Sequence, residues 1–330
     1  EKKRNLKRYM DPLLSKLGLV HIRDATIEAI QEVKDRKEGK IFGLKTRWKK
    51  FNDLIGGTVE WTSLVTIAGI SGSGKSSIAN ELETAFFDYN KEENFCVLSF
   101  NYEMSNKAQV IRKLSFKTQL TTSEIKSGTS TLSDNDFERI RLAGHSIIDY
   151  RIYYAQKPKT PEEMVATIRE FHAWVKAKYG KDCGLVVMFD HTRLAKRIGK
   201  REQEMIDDLQ TMFVEVKKED KRIIIQLSQL NRNIESTERK QNPNDHYPNR
   251  GDIFISDSIY QCSDIVVMSH RPETIHLDTY GPYKYAVKNK VYVHAVKLRE
   301  GDPAPIRFIN NLKYNRIDED PVLPTENEVI

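Results

Sequence analysis

The chain has 330 residues, 39% of them hydrophobic, with 13 Phe, 14 Tyr and a net charge of +6. That suffices for one large α/β domain with an extension, or for two domains, and the modest charge permits an acidic partner without demanding one. No apolar run approaches a membrane span and no secretory signal is visible, so a membrane role is excluded and a reducing, cytoplasmic setting is expected.

Residues 1–20 are basic, then apolar. The first residue is Glu1 rather than Met, which leaves room for a preceding segment. From Asp24 the spacing of Ile27, Ile30 and Val33 predicts a helix ending near Gly39. Its apolar stripe is narrow, as in a helix that docks on its own core or on a neighbour. Residues 1–45 are expected to form this N-terminal segment, and 46–330 the main domain.

From residue 62 the chain alternates. Strands are expected at 63–68, 95–100, 151–154, 184–189 and 222–227, and helices at 75–88, 105–119, 134–146, 161–178 and 202–219. In the helix at 161–178, Met164, Ile168, Phe171 and Val175 share a face. Short Val/Ile-rich strands between amphipathic helices predict a mostly parallel sheet covered on both faces. Further strands at 264–268, 291–297 and 305–310 follow with no long helix between them, so everything after residue 220 is expected to add an antiparallel edge. The polar stretch 230–262 is too long for a connector and reads as a functional loop.

The first strand runs into Gly69-Ile70-Ser71-Gly72-Ser73-Gly74-Lys75-Ser76, a match to GxxxxGK[ST] in a strand–loop–helix context. Gly69, Ser71, Gly72, Ser73, Gly74, Lys75, Ser76 and Ser77 are therefore the expected nucleotide contacts. Backbone N–H groups and the helix N-terminus would hold the phosphates, Lys75 would reach the β- and γ-phosphates, and Ser76 would ligate Mg²⁺. ATP and Mg²⁺ are the implied ligands.

Three polar residues end later strands. Asp190 closes Leu185–Phe189 and beside a phosphate loop reads as the second metal carboxylate. Glu103 follows Val97–Tyr102 and is either a general base or an acid at a helix N-terminus. Gln229 follows Ile223–Ser228 and is either a γ-phosphate sensor or a polar strand end. After Asp190 come Arg193, Lys196, Arg197, Lys200 and Arg201, a solvated face or a grip on a nucleic-acid backbone. The 230–262 stretch carries Arg232, Arg239, Lys240 and Arg250. Lys297 and Arg299 would share a face of a late strand by period two. Cys96 and Cys183 sit beside apolar runs and read as small buried hydrophobes, and the three cysteines match no metal spacing.

Taken together, these positions resemble the C-terminal, RecA-like motor domain of DnaB-type replicative helicases over about residues 24–318. Phe100-Asn101-Tyr102-Glu103-Met104-Ser105 is similar to the family's strand ending in Glu-Met-Ser, which implies that Glu103 is the catalytic base. Ser228-Gln229-Leu230-Asn231-Arg232 is similar to its Ser-Gln-Leu-Asn-Arg segment, which implies that Gln229 is the sensor. Lys297-Leu298-Arg299 resembles a Lys-x-Arg pair that reaches into a neighbour's nucleotide, and the helix at 24–38 resembles a linker helix that packs on the adjacent subunit.

The resemblance implies a P-loop RecA-like fold and an ATP-driven hexameric ring that moves on single-stranded DNA and unwinds duplex. A primase or a loader would be a further partner. A RecA/KaiC-like ATPase, acting as a recombination mediator or regulatory ring without unwinding, is the alternative on the same residues. Two departures stand out. Thr46-Arg47-Trp48 occupies the place of the family's Thr-Gly-Phe. Phe254-Ile255-Ser256-Asp257 occupies the place of its Arg-Glu-Ser-Gly, so that Arg250 or the first basic loop is expected to supply the missing grip.

Overall fold

The computed structural model describes residues 16–40, 42–127, 132–190, 199–254, 257–299 and 301–321. It forms two compact units, 1–42 and 43–330. Within the first, helix α1 (Ile22–Lys37) buries none of its residues. Ile22, Ile27, Ile30 and Val33 are all exposed, and the polar face is laced by ion pairs such as Arg36–Glu32 at 2.7 Å.

The second unit is built on a nine-stranded sheet. In chain order the strands are β1 (Leu64–Gly69), β2 (Phe95–Asn101), β3 (Ile152–Ala155), β4 (Gly184–Asp190), β5 (Arg222–Gln229), β6 (Ile265–His270), β7 (Lys290–Lys297), β8 (Pro305–Asn311) and β9 (Arg316–Glu319). In space they run β9-β8-β7-β6-β1-β5-β4-β2-β3. β1 is central and parallel to both β5 and β6. Period-two alternation explains the two cores. Leu64 and Ala68 of β1 face one, Val65 and Ile67 the other.

The helices that cover the sheet are α2 (Lys49–Leu54), α3 (Lys75–Tyr89), α4 (Asn106–Thr118), α5 (Thr122–Lys126), α6 (Asp134–Ile147), α7 (Pro161–Tyr179) and α8 (Glu202–Glu219). α3 contributes Ile78, Leu82 and Phe86 to one core. α7 and α8 contribute Met164, Ile168, Leu209 and Phe213 to the other. The start of α7 is fixed by Pro161 at its first turn and a Thr160/Glu163 capping box.

The expected antiparallel edge begins later than the loss of long helices suggests. β5 and β6 are both parallel to β1, and only β7, β8 and β9 are antiparallel. A parallel strand needs a crossover, not a long helix. Here the crossover between β5 and β6 is the 230–262 stretch. It holds 3-10 turns at Arg232–Glu235, Pro243–Asp245 and Arg250–Asp252 and two short helices, α9 (Thr237–Gln241) and α10 (Ser258–Cys262).

Candidate active site

The phosphate loop leaves the central strand between α3 and the ends of β5 and β6. Gly69 pairs with Gln229 in register, and Asn101 with Asp190. The strand ends that carry the predicted site residues therefore share one edge. Lys75, Ser76, Glu103, Asp190 and Gln229 line one cleft of about 290 Å³, together with Ser71, Gly72, Gly74 and Ser77. Ser73 does not line it. It is fully buried, its carbonyl accepts a hydrogen bond from Ser269 Oγ at 2.6 Å, and its hydroxyl has no partner among the described residues.

Two glycines are required by shape. A Cβ on Gly69 would run into Ser73 Oγ and come within 2.7 Å of the Ser269 carbonyl. Gly74 sits at φ +97°, where a side chain is strained, and a Cβ there would lie 2.8 Å from Leu312. It is also the N-cap of α3, so the loop's last turn and the helix start are one feature.

Lys75 folds back on its own loop. Its Nζ donates to the carbonyls of Gly69 at 2.7 Å and Ile70 at 2.8 Å. Burial pushes its ammonium down to about 8, against the opposing pull of the Asp190 and Glu103 carboxylates. A bound polyphosphate would give this ammonium the anionic partner that its backbone contacts lack.

Glu103 stands in an exposed turn between β2 and α4. Ser105, not Glu103, caps α4, with Ala108 N donating to Ser105 Oγ at 3.3 Å. Asn101 Oδ1 accepts from Met104 N at 3.0 Å, and Tyr102 N donates to the Asp190 carbonyl at 3.3 Å. These bonds fix the turn so that its carboxylate faces the cleft rather than the helix dipole. Ser76 in the first turn of α3 and Asp190 at the end of β4 are hard oxygen donors on the same wall. Among the described residues no group of three or more His, Cys, Asp or Glu could hold a metal by itself. That donor set fits Mg²⁺, which binds through one or two protein oxygens plus phosphate and water.

Lys297 and Arg299 lie elsewhere. β7 ends at Lys297, with a register shift after Ala295, so Arg299 is beyond the strand and the expected period-two face is lost. Lys297 Nζ donates to the carbonyls of Tyr260 at 2.7 Å and Gln261 at 2.8 Å, on the last turn of α10. Arg299 Nε pairs with Asp264 at 2.7 Å while its side chain stays 68% exposed. Asp264 also accepts from Leu64 N at 2.7 Å and pairs with the buried Lys217. Leu64 and Asp264 mark the starts of β1 and β6, whereas the phosphate loop follows the end of β1. The two cations thus sit at the edge of the sheet opposite to their own chain's cleft.

Of the predicted nucleic-acid contacts, Arg193, Lys196 and Arg197 lie outside the described residues, as do Ile255 and Ser256 of the divergent segment. Lys200 pairs with Asp208 at 2.6 Å and Arg201 with Glu204 at 2.7 Å. Arg232 is exposed at the head of the crossover, in the 3-10 turn that follows β5. Arg250 is bonded to Asp257, with Nε 2.6 Å from the carboxylate, and stacks over Tyr260 at 4.9 Å. Arg239 is turned inward, bonded to Asp252 and to the carbonyls of Asp245 at 2.9 Å and Tyr247 at 2.8 Å, and holds the crossover together.

Sequence reasoning missed Arg112 and Arg271, which also line the cleft. Arg112 Nη1 and Arg271 Nε are buried with no partner among the described residues. Arg112 lies nine positions after Glu103 on α4, and Arg271 directly follows β6. Position just after a strand end, the signal that marked Asp190, could have found the second. Nothing in the helical pattern marked the first.

The C-terminal domain model of DnaB-like helicases matches residues 43–319. The chain is 28% identical over 308 residues to the replicative DNA helicase DnaB of Buchnera aphidicola subsp. Baizongia pistaciae, covering 91% of this chain and 61% of that protein. It is 25% identical over 225 residues to replicative DNA helicase DnaB of Nostoc sp., covering 68% of this chain and 24% of that one. It thus spans about three fifths of the first relative's length and less of the second's. Among solved structures it is similar to one described as an ATPase domain, with a TM-score of 0.76, 19% identity and coverage of 91% of this chain and 98% of that one. It is similar also to a DnaB-like replicative helicase described with its primase interactions, with a TM-score of 0.75, 19% identity and coverage of 91% and 67%. At that identity the structures bear on the fold, which they match.

Proposed function

The chain belongs to the family of DnaB-like helicase C-terminal domains, and from that membership and the cleft's geometry we propose that it is the ATP-hydrolysing motor of a ring-forming replicative helicase. The observation that carries this reading is the separation of cleft from cations. Lys75, Ser76, Glu103, Asp190 and Gln229 meet at one edge of the sheet. Lys297 and Arg299 hang from the opposite edge, where only another copy's nucleotide could meet them.

In this reading the loop amides and Lys75 hold the β- and γ-phosphates. Ser76 and Asp190 hold Mg²⁺, which when bound neutralises charge that develops on the phosphate oxygens. Glu103 accepts a proton from the attacking water, and Gln229 hydrogen-bonds the γ-phosphate. Arg299 of an adjacent copy stabilises the transition state, a contribution of about 10³–10⁵ in rate where such fingers operate. Single-stranded DNA is the proposed track, gripped through phosphates by cations of the 191–201 and 230–257 segments. Arg232, at the head of the crossover, fits that role better than the inward Arg239. A six-membered ring and contact with a primase or loader are proposed by likeness to the relatives.

The test is Glu103→Gln. Nucleotide binding is expected to stay within about threefold of the parent, while ATP turnover with single strands falls about 10²–10⁴-fold, the usual weight of a general base. Separation of a forked duplex by the parent, driven by ATP, distinguishes a helicase from a ring that hydrolyses without unwinding. Parent-like turnover by the variant would remove Glu103 from the mechanism.

A further inference from the structure

Asn80 lies inside α3 on the helix that begins at the phosphate loop, and it is 3% exposed. A buried asparagine in a helix interior is disfavoured by propensity and by desolvation, so its polar atoms need partners. Its Oδ1 accepts from Lys113 Nζ of α4 at 3.1 Å. Lys113 is also paired with Glu83, one helical turn further along α3, and both are buried. An ammonium only donates, so this contact fixes the amide with its oxygen towards Lys113. The Nδ2 donor is left over, buried and with no partner among the described residues.

A cavity of about 20 Å³ lies against that amide. Asn80, Ser99, Asn101 and Gln109 line it, all of them buried. Ser76 and Asp190 line it too, and the same two residues line the nucleotide cleft. The cavity therefore backs onto the wall that carries the metal donors. Asn101 and Asp190 are paired across β2 and β4. Asn101 Oδ1 also holds Met104 N at 3.0 Å, in the turn that bears Glu103. The space suffices for one water, and the lining supplies the several polar partners that a buried water requires.

We propose that Asn80 is a positioning residue for the metal side of the cleft. Its Nδ2 donates to one water in this cavity, and that water hydrogen-bonds the Asp190 carboxylate and the Asn101 side chain. The end of β4 and the turn of Glu103 are thereby held from behind by α3. Hydrogen bonds of this kind orient a ligating carboxylate before the metal arrives. The proposal rests on the nucleotide-hydrolysing reading of the cleft but not on any DNA activity.

The experiment uses the full chain with a fluorescent non-hydrolysable ATP analogue, Mg²⁺, and Mn²⁺ as a spectroscopic probe of the same donors. Asn80→Leu keeps the branched shape and removes the polarity. Electron paramagnetic resonance of Mn²⁺ on the analogue-saturated variant is expected to show metal affinity lowered about ten- to hundredfold. The Mg²⁺ concentration for half-maximal ATP turnover is expected to rise with it. Affinity for the analogue in EDTA stays within about threefold of the parent, which a general loosening of the helix would not allow. Asn80→Ala also lacks the donor, is expected to behave alike, and stands in if thermal melting finds the leucine variant unfolded. A crystal of the parent with Mg²⁺ and the analogue is expected to hold a water within hydrogen-bond reach of Asn80 Nδ2 and Asp190.

Parental metal affinity in a folded Asn80 variant overturns the proposal, whatever its melting temperature. So does a dry cavity in that crystal. A parent that does not bind the analogue overturns instead the reading of the cleft.

Discussion

Lys75 carries its charge against the cost of burial. With its ammonium pushed down to about 8 by burial, the fraction charged declines at a pH where a free lysine is still protonated. Polyphosphate favours the charged form, so binding must return the proton. Affinity for an ATP analogue is expected to be flat below pH 8 and to weaken above it, towards about tenfold per pH unit. Calorimetry at about pH 8.5 in two buffers of different ionisation enthalpy would register proton uptake, and its absence would remove this account.

Arg47 is a second residue whose environment decides its worth. It replaces a glycine of the family pattern, and the structure supplies the reason. Its guanidinium pairs at 2.5 Å with Glu81 of α3 and at 2.9 Å with Asp318 of β9, the Glu81 side chain being 1% exposed. Burial pushes the Glu81 carboxyl up to about 7, against the opposing pull of Arg47. Arg47→Gly strands that carboxylate, which typically costs about 3–5 kcal/mol. Urea unfolding should show this loss, and Glu81→Gln in the same chain should recover part of it. At this scale Asp190 was legible because strand ends in an open α/β sheet face the ligand, whereas the strand-end position of Glu103 and Gln229 left two readings open and only the family resemblance chose between them. The Arg47–Glu81 pair was not, because its partners are 34 positions apart in sequence and only the fold joins them.

Among elements, β6 and β7 carry the most telling pair. His270 and His294 are buried on adjacent strands, on either side of the Tyr280 hydroxyl. Burial pushes both imidazoles from 6.5 down to about 3. The unfolded chain therefore binds protons that the folded one refuses, and the fold is weakened as pH falls below about 6.5 and on towards 3. At about pH 5 the loss is about 2 kcal/mol for each histidine. Urea midpoints at about pH 7.5 and 5 would reveal it, and a pH-independent midpoint across that range would contradict the burial argument.

The same elements explain what the sequence made visible. Central strands are apolar runs and declare themselves. β9 is four residues long with Ile317 alone fully buried, and it is recognisable only as the antiparallel partner of β8. The 230–262 crossover looked like an open loop because its order comes from caps and the inward Arg239, not from hydrophobic periodicity.

For the whole molecule, the proposed reading is that one copy lacks a complete site. Arg299 is at the far edge from its own cleft, and α1 buries none of its residues within its unit. A closed ring would give each cleft a neighbour's cations, since head-to-tail contacts close by rotation. This makes a complementation experiment possible. Lys75→Ala disables a copy's own cleft, and Arg299→Ala disables the cleft of its neighbour, so each preparation alone is expected to hydrolyse ATP poorly. Mixed and reassembled in equal amounts, they create seams where an intact cleft from one variant meets an intact Arg299 from the other. Random assembly of a ring makes such seams about one in four, so roughly a quarter of parental turnover is expected if seams act independently. If Arg299 served its own cleft, mixing would restore nothing, because no copy in the mixture holds both residues intact.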